Sequence, residues 1–300
     1  MRRSVRLVRI LAGPVGFAYG VTVVFTVGSP TARLWIVWAP VAIATTTAAG
    51  LMCAYGLGRW LELGKLCTIS ARQRQVILPV AALAAGSLAL MNVTILLPGP
   101  AHVKASGGGG SGLGDGLVGM FAIVAAVPAA LVMFGMWRAV GSDAPLGPKD
   151  AAARTKGDQL NILLALRRML QRLLAVVGAV VALVIFTAGT WWLLERSLHT
   201  QFGSRPPQYL LIFGAFGSTL VGLIYGPAWT ALQRRGRLLC DEMFSLRGVD
   251  QEKVIVSRAA ERQTLEQMLG LDRGFLADLQ GGLLILAPLL AGAVAAFLPR

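Results

Sequence analysis

Residues 173–195 read LLAVVGAVVALVIFTAGTWWLLE, an apolar stretch without a charged side chain before Glu195. A helix rises about 1.5 Å per residue and the hydrocarbon core of a bilayer is about 30 Å thick, so about 20 such residues cross it. The indoles of Trp191 and Trp192 stand at one end of the stretch, and such rings prefer the headgroup level. The stretch therefore predicts a transmembrane helix.

Six further stretches have the same apolar character. They are residues 10–28, 34–56, 76–97, 117–137, 208–230 and 281–298. The last is short, and a re-entrant segment is the alternative there. The chain of 300 residues is 55% hydrophobic and 14% charged, which is too apolar for an ordinary soluble domain. We expect an all-α, polytopic integral membrane protein with about seven transmembrane helices in one transmembrane domain, residues 1–300.

Lysine and arginine fall mainly on one side of these predicted spans. Of the 28, 23 precede the first span or follow the second, fourth and sixth spans. Cytoplasmic loops carry such an excess in membrane proteins. The sequence therefore predicts an inside N-terminus and an outside C-terminus. Arginine outnumbers lysine and asparagine is scarce, as expected of a GC-rich genome, so we expect a bacterial cytoplasmic (cell) membrane.

The formal net charge of +14 raises the question of nucleic-acid binding. A nucleic-acid binder concentrates its basic residues on one soluble face, whereas here they are spread over every predicted cytoplasmic loop. That distribution is typical of membrane insertion and attracts anionic lipid headgroups. We therefore expect the lipid bilayer as a partner, with anionic headgroups at the cytoplasmic face, and no nucleic acid.

The spans hold few polar side chains. Ionised residues within a membrane usually mark a proton relay or an ion path, and their absence counts against a proton-coupled transporter or a pump. Asn92, followed by Thr94, is the most polar group at depth, and it would contact a substrate or hydrogen-bond to a neighbouring helix. Pro128 lies near mid-membrane, where it can kink its helix beside a cavity. Asn92, Thr94 and Pro128 are the candidates for a polar intramembrane site.

Two glycine pairs suggest close contacts between helices. Gly16 and Gly20 stand four residues apart on the first span, as do Gly222 and Gly226 on the sixth. Residues at this spacing share one helix face, and small residues there let another backbone approach. The sequence therefore predicts close helix packing at both pairs.

One motif matches a catalytic signature, but the base that its serine would need is not predicted nearby. Residues 109–112 match the GxSG pattern that rhomboid intramembrane proteases use for their nucleophile, here Ser111. A serine nucleophile needs a base within hydrogen-bond reach, and the two histidines, His102 and His199, are both in predicted outer loops. We expect no catalytic residue, no metal site and no cofactor, and we expect all three side chains to be dispensable.

Two predicted cytoplasmic segments, residues 139–172 and 231–280, are long enough to form helices. The first becomes amphipathic near Asp158 and predicts an interfacial helix that leads into the fifth span. The second predicts a helix capped by Asp250 that runs to Gly270. Its apolar stripe must be buried against the inner ends of the spans or against a second protein subunit at residues 250–280. The residues proposed for that docking are Leu265, Met268 and Leu269.

The end of that segment is similar to a known loop. The run Leu269-Gly270-Leu271-Asp272-Arg273, which leads into the last span, resembles the cytoplasmic coupling loop of ABC-transporter permeases. That resemblance implies an ATPase partner. It covers a small part of the chain and lacks the Glu-Ala-Ala start of those loops, so it does not identify the family.

Three functions stay open on this sequence. The first is a transport or channel-like component without intramembrane charge coupling. The second is a non-transporting membrane scaffold or sensor that binds partners through its cytoplasmic loops. The third is a membrane enzyme that acts on lipid, which the lack of paired carboxylates or of a base near the spans weakens. A polar cavity near Asn92 and Pro128 would favour transport, and a tightly packed apolar bundle would favour the scaffold.

Overall fold

The computed structural model describes residues 2–27, 35–67, 113–141, 155–197, 208–244 and 252–271. Within these ranges no strand occurs, which confirms the all-α class for the described part of the chain. The helices are α1 (Arg2–Val27), α2 (Trp35–Leu66), α3 (Leu113–Gly141), α4 (Lys156–Ser197), α5 (Gln208–Met243) and α6 (Glu252–Leu269).

Three stretches of these helices are long and apolar enough to cross a membrane. They are Trp35–Leu66, Gly116–Gly141 and Lys156–Leu194. A shorter apolar stretch, Ile10–Thr26, lies in α1. The predicted third and seventh spans, residues 76–97 and 281–298, lie outside the described residues. Three long apolar helices fit an integral membrane protein in general.

Helix α4 corrects the prediction for the segment before the fifth span. An interfacial helix that lay in the membrane plane would have to bend before residue 173, but α4 is one helix of 42 residues. The physical reason is that residues 158–177 contain neither proline nor glycine, so nothing interrupts the helix. Leu163 and Leu166, which belong to this amphipathic segment, are buried in the protein core.

Helices α1 and α2 pack closely through glycines. A Cβ atom added at Gly16 would collide with the backbone carbonyl of Thr46, and one added at Gly50 would collide with the backbone of α1 at Ala12. A Cβ at Gly20 would lie 3.0 Å from the Cα of Ile43. The close approach predicted at Gly16 and Gly20 is therefore confirmed.

The second glycine pair behaves differently. A Cβ added at Gly222 or Gly226 would have no described atom of another element within 4 Å. Within the described residues, the close packing predicted for this pair is absent. Glycine spacing alone does not reveal whether a helix face points towards another helix or outward.

Pairs of contacts fix the direction of the neighbouring helices. Gly16 faces Thr46 and Gly20 faces Ile43, so α1 and α2 are antiparallel. Helices α2 and α4 are also antiparallel. The ring centroids of Trp38 and Trp191 lie 4.6 Å apart, whereas Thr45, further along α2, contacts Thr187, which comes earlier in α4.

Helices α2 and α3, in contrast, are parallel. Gly56 packs against Pro128, and Leu63, one turn or more further along α2, packs against Gly135 of α3. The carboxyl-terminal ends of these two helices therefore lie at the same end of the bundle. Those ends carry the basic residues of α2 and α3, which are Arg59, Lys65 and Arg138.

Helices α4 and α5 are antiparallel. The Nζ atom of Lys156 donates a hydrogen bond of 2.7 Å to the backbone carbonyl of Glu242. Helix α4 thus begins where α5 ends, and this end is the one at which α2 and α3 also end. The arginines at this end of α4 and α5 are Arg167, Arg168, Arg172, Arg234, Arg235 and Arg237.

One contiguous core joins α2 to α6. Its buried members include Met52 in α2, Val132 in α3, Leu173 in α4 and Leu239 in α5. Leu269 of α6 belongs to the same cluster. Helix α6 is therefore packed against the bundle rather than separated from it.

Candidate functional site

Helix α6 ends in a glycine cap. Gly270 has a φ of 57°, in the left-handed region that favours glycine. Its N–H donates to the carbonyl of Gln267 at 2.9 Å, and the N–H of Leu271 donates to the carbonyl of Glu266 at 2.8 Å. This pair of bonds is a Schellman motif, which satisfies two carbonyls at the helix end.

The carbonyl of Gly270 is held by two other helices. Nη2 of Arg167, on α4, donates to it at 3.2 Å, and Nε2 of Gln233, on α5, donates at 3.3 Å. A cation at the carboxyl end of a helix is favourable, because the helix dipole is negative there. We call this arrangement of Arg167, Gln233 and Gly270 the α6 clasp. It joins three helices at the basic end of the bundle.

A second polar contact ties α6 to α5. Nη2 of Arg262 lies 2.7 Å from Oδ1 of Asp241, and its Nε lies 2.8 Å from Oε1 of Glu266. The bond to Glu266, together with the charges of both carboxylates, raises the pKa of Arg262 further above its ordinary value. All three side chains are partly exposed, and such pairs contribute only about 0–1 kcal/mol. This contact therefore contributes more to the orientation of α6 than to its stability.

The three residues predicted for partner docking differ in their exposure. Leu265 and Leu269 are buried against the protein's own core. Met268 is 71% exposed. The inner face of α6 is therefore occupied by intramolecular contacts, and only Met268 of the three is available at the surface. Binding of a second subunit at residues 250–280 stays a prediction.

A small cavity lies beside the clasp. Its volume is about 20 Å³. The polar side chains in its lining are those of Arg167, Gln171 and Gln233, together with Tyr225 and Trp229. Leucines of α4, α5 and the end of α6, together with Gly236, complete the lining, so the cavity belongs to the junction of three helices.

The predicted intramembrane site is only partly within the described residues. Asn92 and Thr94 lie outside them. Pro128 lies within α3, and a Cβ added at Gly56 would come within 3.0 Å of its Cβ. Pro128 thus forms part of the close contact between α2 and α3. It lines neither the cavity beside the clasp nor the groove described next.

A wide groove of about 780 Å³ runs between α1 and α2. Its walls come from α1 residues such as Phe17 and Phe25 and from α2 residues between Trp35 and Leu51. Its polar members are Thr47, whose hydroxyl donates to the Ile43 carbonyl of its own helix, and Trp35, whose indole nitrogen is buried. The groove is therefore lined mainly by apolar side chains.

The described side chains do not meet the requirements of a metal site. No group of three or more His, Cys, Asp or Glu residues that could hold a metal ion occurs in the part of the chain that the structure describes. Ser111, His102 and His199 lie outside that part, so their dispensability stays a prediction. What the described site can do chemically is to hold the carboxyl end of α6 against two other helices.

The clasp was not predicted from the sequence. The sequence predicts a helix end at Gly270 and an amphipathic helical segment that contains Arg167, but it indicates no role for Gln233. No spacing rule connects residues of α4, α5 and α6 that are so far apart in the chain. The unusual feature of the sequence in this region is the glutamine at position 233, within an arginine-rich helix.

No protein-family model matches this chain, and no curated protein or solved structure is significantly similar to it. Its function must therefore be argued from its own residues.

Proposed function

We propose that this chain is a multi-pass protein of the bacterial cytoplasmic membrane with seven spans, its N-terminus inside and its C-terminus outside. Large apolar side chains on the outer surface of the bundle support membrane insertion. Phe25 is 77% exposed, and Ile36 and Leu223 are similarly open. Leaving such a side chain in water forfeits about 1.5–3 kcal/mol, a cost that lipid tails remove. The outer face of the bundle thus suits a bilayer.

The parallel packing of α2 and α3 supports a crossing between them. The chain leaves α2 at the basic end of the bundle, and α3 begins at the opposite end. The proposed span at residues 76–97 would return the chain to that opposite end, so the helix directions agree with the proposed seven-span topology.

The basic end of the bundle supports the proposed orientation. Arginines of α2, α3, α4 and α5 gather there, while Arg196 lies at the other end of α4. Positive charge is retained on the cytoplasmic side during insertion. The same side chains can attract anionic lipid headgroups, each contributing about 1 kcal/mol near the surface. We propose the lipid bilayer, with anionic headgroups at this end, as a partner.

Within the membrane we propose that the protein is a non-transporting scaffold or sensor that binds a second protein through its cytoplasmic segment. The observation that carries this proposal is the attachment of α6 to the bundle through the clasp. Its inner face is fixed by Leu265 and Leu269, and its outer face presents Met268 and Val256 to solvent. A helix held in one place with a free outer face is suited to partner binding, and Met268 is the centre of the proposed docking surface.

Transport is the hypothesis that the described packing favours less. The buried polar side chains of the described helices are Thr45, Thr46, Thr187, Thr190, Ser218 and Gln233. The four threonine hydroxyls all lie within hydrogen-bond distance of backbone carbonyls, so they do not form an open polar path. A path beside Asn92 stays a prediction. An enzyme acting on lipid is our third hypothesis.

Site-specific photocrosslinking in cells tests the scaffold proposal. A photoreactive residue at position 268 should give a crosslink to one second protein, and the same residue at position 124 should not, because Val124 is exposed in the apolar part of α3. If position 268 gives no crosslinked product and proteoliposomes of the purified chain show solute flux, the scaffold hypothesis is wrong and the transporter hypothesis is supported.

Cysteine labelling with an impermeant reagent tests the topology. In intact cells it should reach a cysteine added after Arg300 and should not reach one placed beside Arg72. Labelling in the opposite sense would reverse the orientation.

A further inference from the structure

The clasp contains a buried hydrogen-bond acceptor that no described residue satisfies. Gln233 is only 7% exposed, and its Oε1 atom is buried and receives no hydrogen bond from the described part of the chain. The orientation of this amide is determined by Gly270, whose carbonyl can only accept, so that Nε2 must face it and Oε1 must point elsewhere. An acceptor buried in this way is destabilising unless something donates to it.

The adjacent cavity has the right size for one small donor. Gln233 lines it together with Arg167 and Gln171, and its volume is about 20 Å³. A cavity needs roughly 10–15 Å³ of such volume to hold a water molecule, and the water needs two to four polar partners. The cavity therefore has room for a water molecule.

We propose that one water molecule is bound in this cavity and donates a hydrogen bond to Oε1 of Gln233. Its oxygen accepts from the guanidinium of Arg167 or the amide of Gln171. Arginine carries five N–H donors, so Arg167 can donate to more than one acceptor. A small cation would also satisfy Oε1, but the positive charge of Arg167 in the same lining disfavours a second cation.

This water extends the clasp. Gly270 is held directly by Arg167 and Gln233, and the water would link the other end of the Gln233 amide to α4. Bridging waters are nearly as favourable in enthalpy as direct hydrogen bonds. The joint between α6 and the bundle is then hydrated, whereas the leucines around it remain dry.

Two matched leucines allow a direct test. Leu170 and Leu173 are both buried in α4, but only Leu170 is among the residues that line the cavity. X-ray radiolytic footprinting generates hydroxyl radicals from bound water, so a side chain beside such a water is oxidised. In the full-length protein in nanodiscs, we expect Leu170 to be oxidised several-fold faster than Leu173. Equal oxidation of the two would overturn the proposal.

Two further measurements separate hydration from unfolding. In Gln233→Met, which removes the acceptor, oxidation of Leu170 should fall to the level of Leu173, and persistence of fast oxidation would contradict the proposal. The second measurement is a high-resolution density map of the unaltered protein, which requires no substitution. It should show a peak at hydrogen-bond distance from Oε1 of Gln233, and an empty cavity or one filled by a side chain would refute the proposal.

Discussion

The hydroxyl oxygens of Thr45 on α2 and Thr187 on α4 lie 2.7 Å apart in the buried interior of the bundle. Thr45 also lies 2.8 Å from the carbonyl of Val41, and Thr187 lies 2.8 Å from that of Leu183. Three short contacts thus compete for two hydroxyl hydrogens. One threonine must donate across the helix interface and give up its bond to its own helix.

Replacing either threonine should remove this interhelical bond. Thr45→Val and Thr187→Val keep the shape of the side chain, and each should lower the free energy of unfolding by about 0.6 kcal/mol, the mean for such bonds in membranes. The double variant should cost little more than either single one, because both remove the same bond. Unfolding in detergent micelles, analysed as a double-mutant cycle, measures this coupling.

Thr47→Val provides the matched control. The Thr47 hydroxyl donates to Ile43 of its own helix at 2.7 Å and bridges to no other described helix. Its replacement should leave stability unchanged. Additive losses from Thr45→Val and Thr187→Val would show that the two hydroxyls do not share a hydrogen bond.

Gly16→Ala should destabilise the contact between α1 and α2. The added methyl would collide with the backbone carbonyl of Thr46, which cannot rotate away as a side chain can. Overpacking of this kind costs about 1–3 kcal/mol. Thermal unfolding in detergent should show the loss. Gly222→Ala, where no described atom of another element lies within 4 Å, is the control and should be neutral or slightly stabilising. Equal effects at the two positions would contradict the packing.

The amino-acid sequence predicted local features better than long-range ones. The Gly16 and Gly20 face was predicted correctly because their spacing is a local property of one helix. The partner of that face was not predictable, since a period of 3.6 residues does not say which helix packs against it. The interfacial helix near Asp158 was wrong because amphipathic spacing looks the same whether leucines face lipid or protein. The clasp at Gly270 depends on three distant residues, and no local pattern joins them.

Gly270→Ala should loosen the carboxyl end of α6. The left-handed φ of 57° costs a residue with a side chain about 1–2 kcal/mol. Its Cβ would also lie 2.6 Å from the guanidinium nitrogens of Arg167. We expect faster hydrogen exchange in residues 252–271 and unchanged exchange in α2. Gly64→Ala, at an exposed helical position with no neighbour within 4 Å, should change neither region. If Gly270→Ala leaves exchange in α6 unaltered, the cap does not hold this helix.

Glutamate substitutions distinguish the two faces of α6. Leu265→Glu and Leu269→Glu place a charge in the core, which should undock the helix and expose residues 252–271 to limited proteolysis. Met268→Glu places the same charge at a side chain that is already 71% exposed, so folding should be unchanged. Loss of a co-purifying protein from Met268→Glu, with folding intact, would support partner binding at the outer face. Resistance of Leu265→Glu to proteolysis would contradict the observed packing.

Cys240 should report whether α6 is docked. Burial raises the pKa of its thiol, and the negative charge of Glu266 on α6 raises it further. Because the thiolate is the reactive form, alkylation of Cys240 should accelerate only at a pH above the ordinary range for a free cysteine. The raised pKa also means that its contribution to stability is complete below the pKa of the unfolded thiol and is lost as pH rises through the folded value.

The measurement is the rate of maleimide labelling against pH in a variant that keeps Cys240 and replaces Cys53 and Cys67 by serine. In Leu269→Glu, which releases α6, both causes of the raised pKa weaken. The rate should then rise several-fold at neutral pH, and its pH dependence should move down towards that of a free cysteine. In Met268→Glu the profile should stay at the docked position, because that side chain faces away from the core. Identical profiles in all three proteins would show that α6 does not cover Cys240.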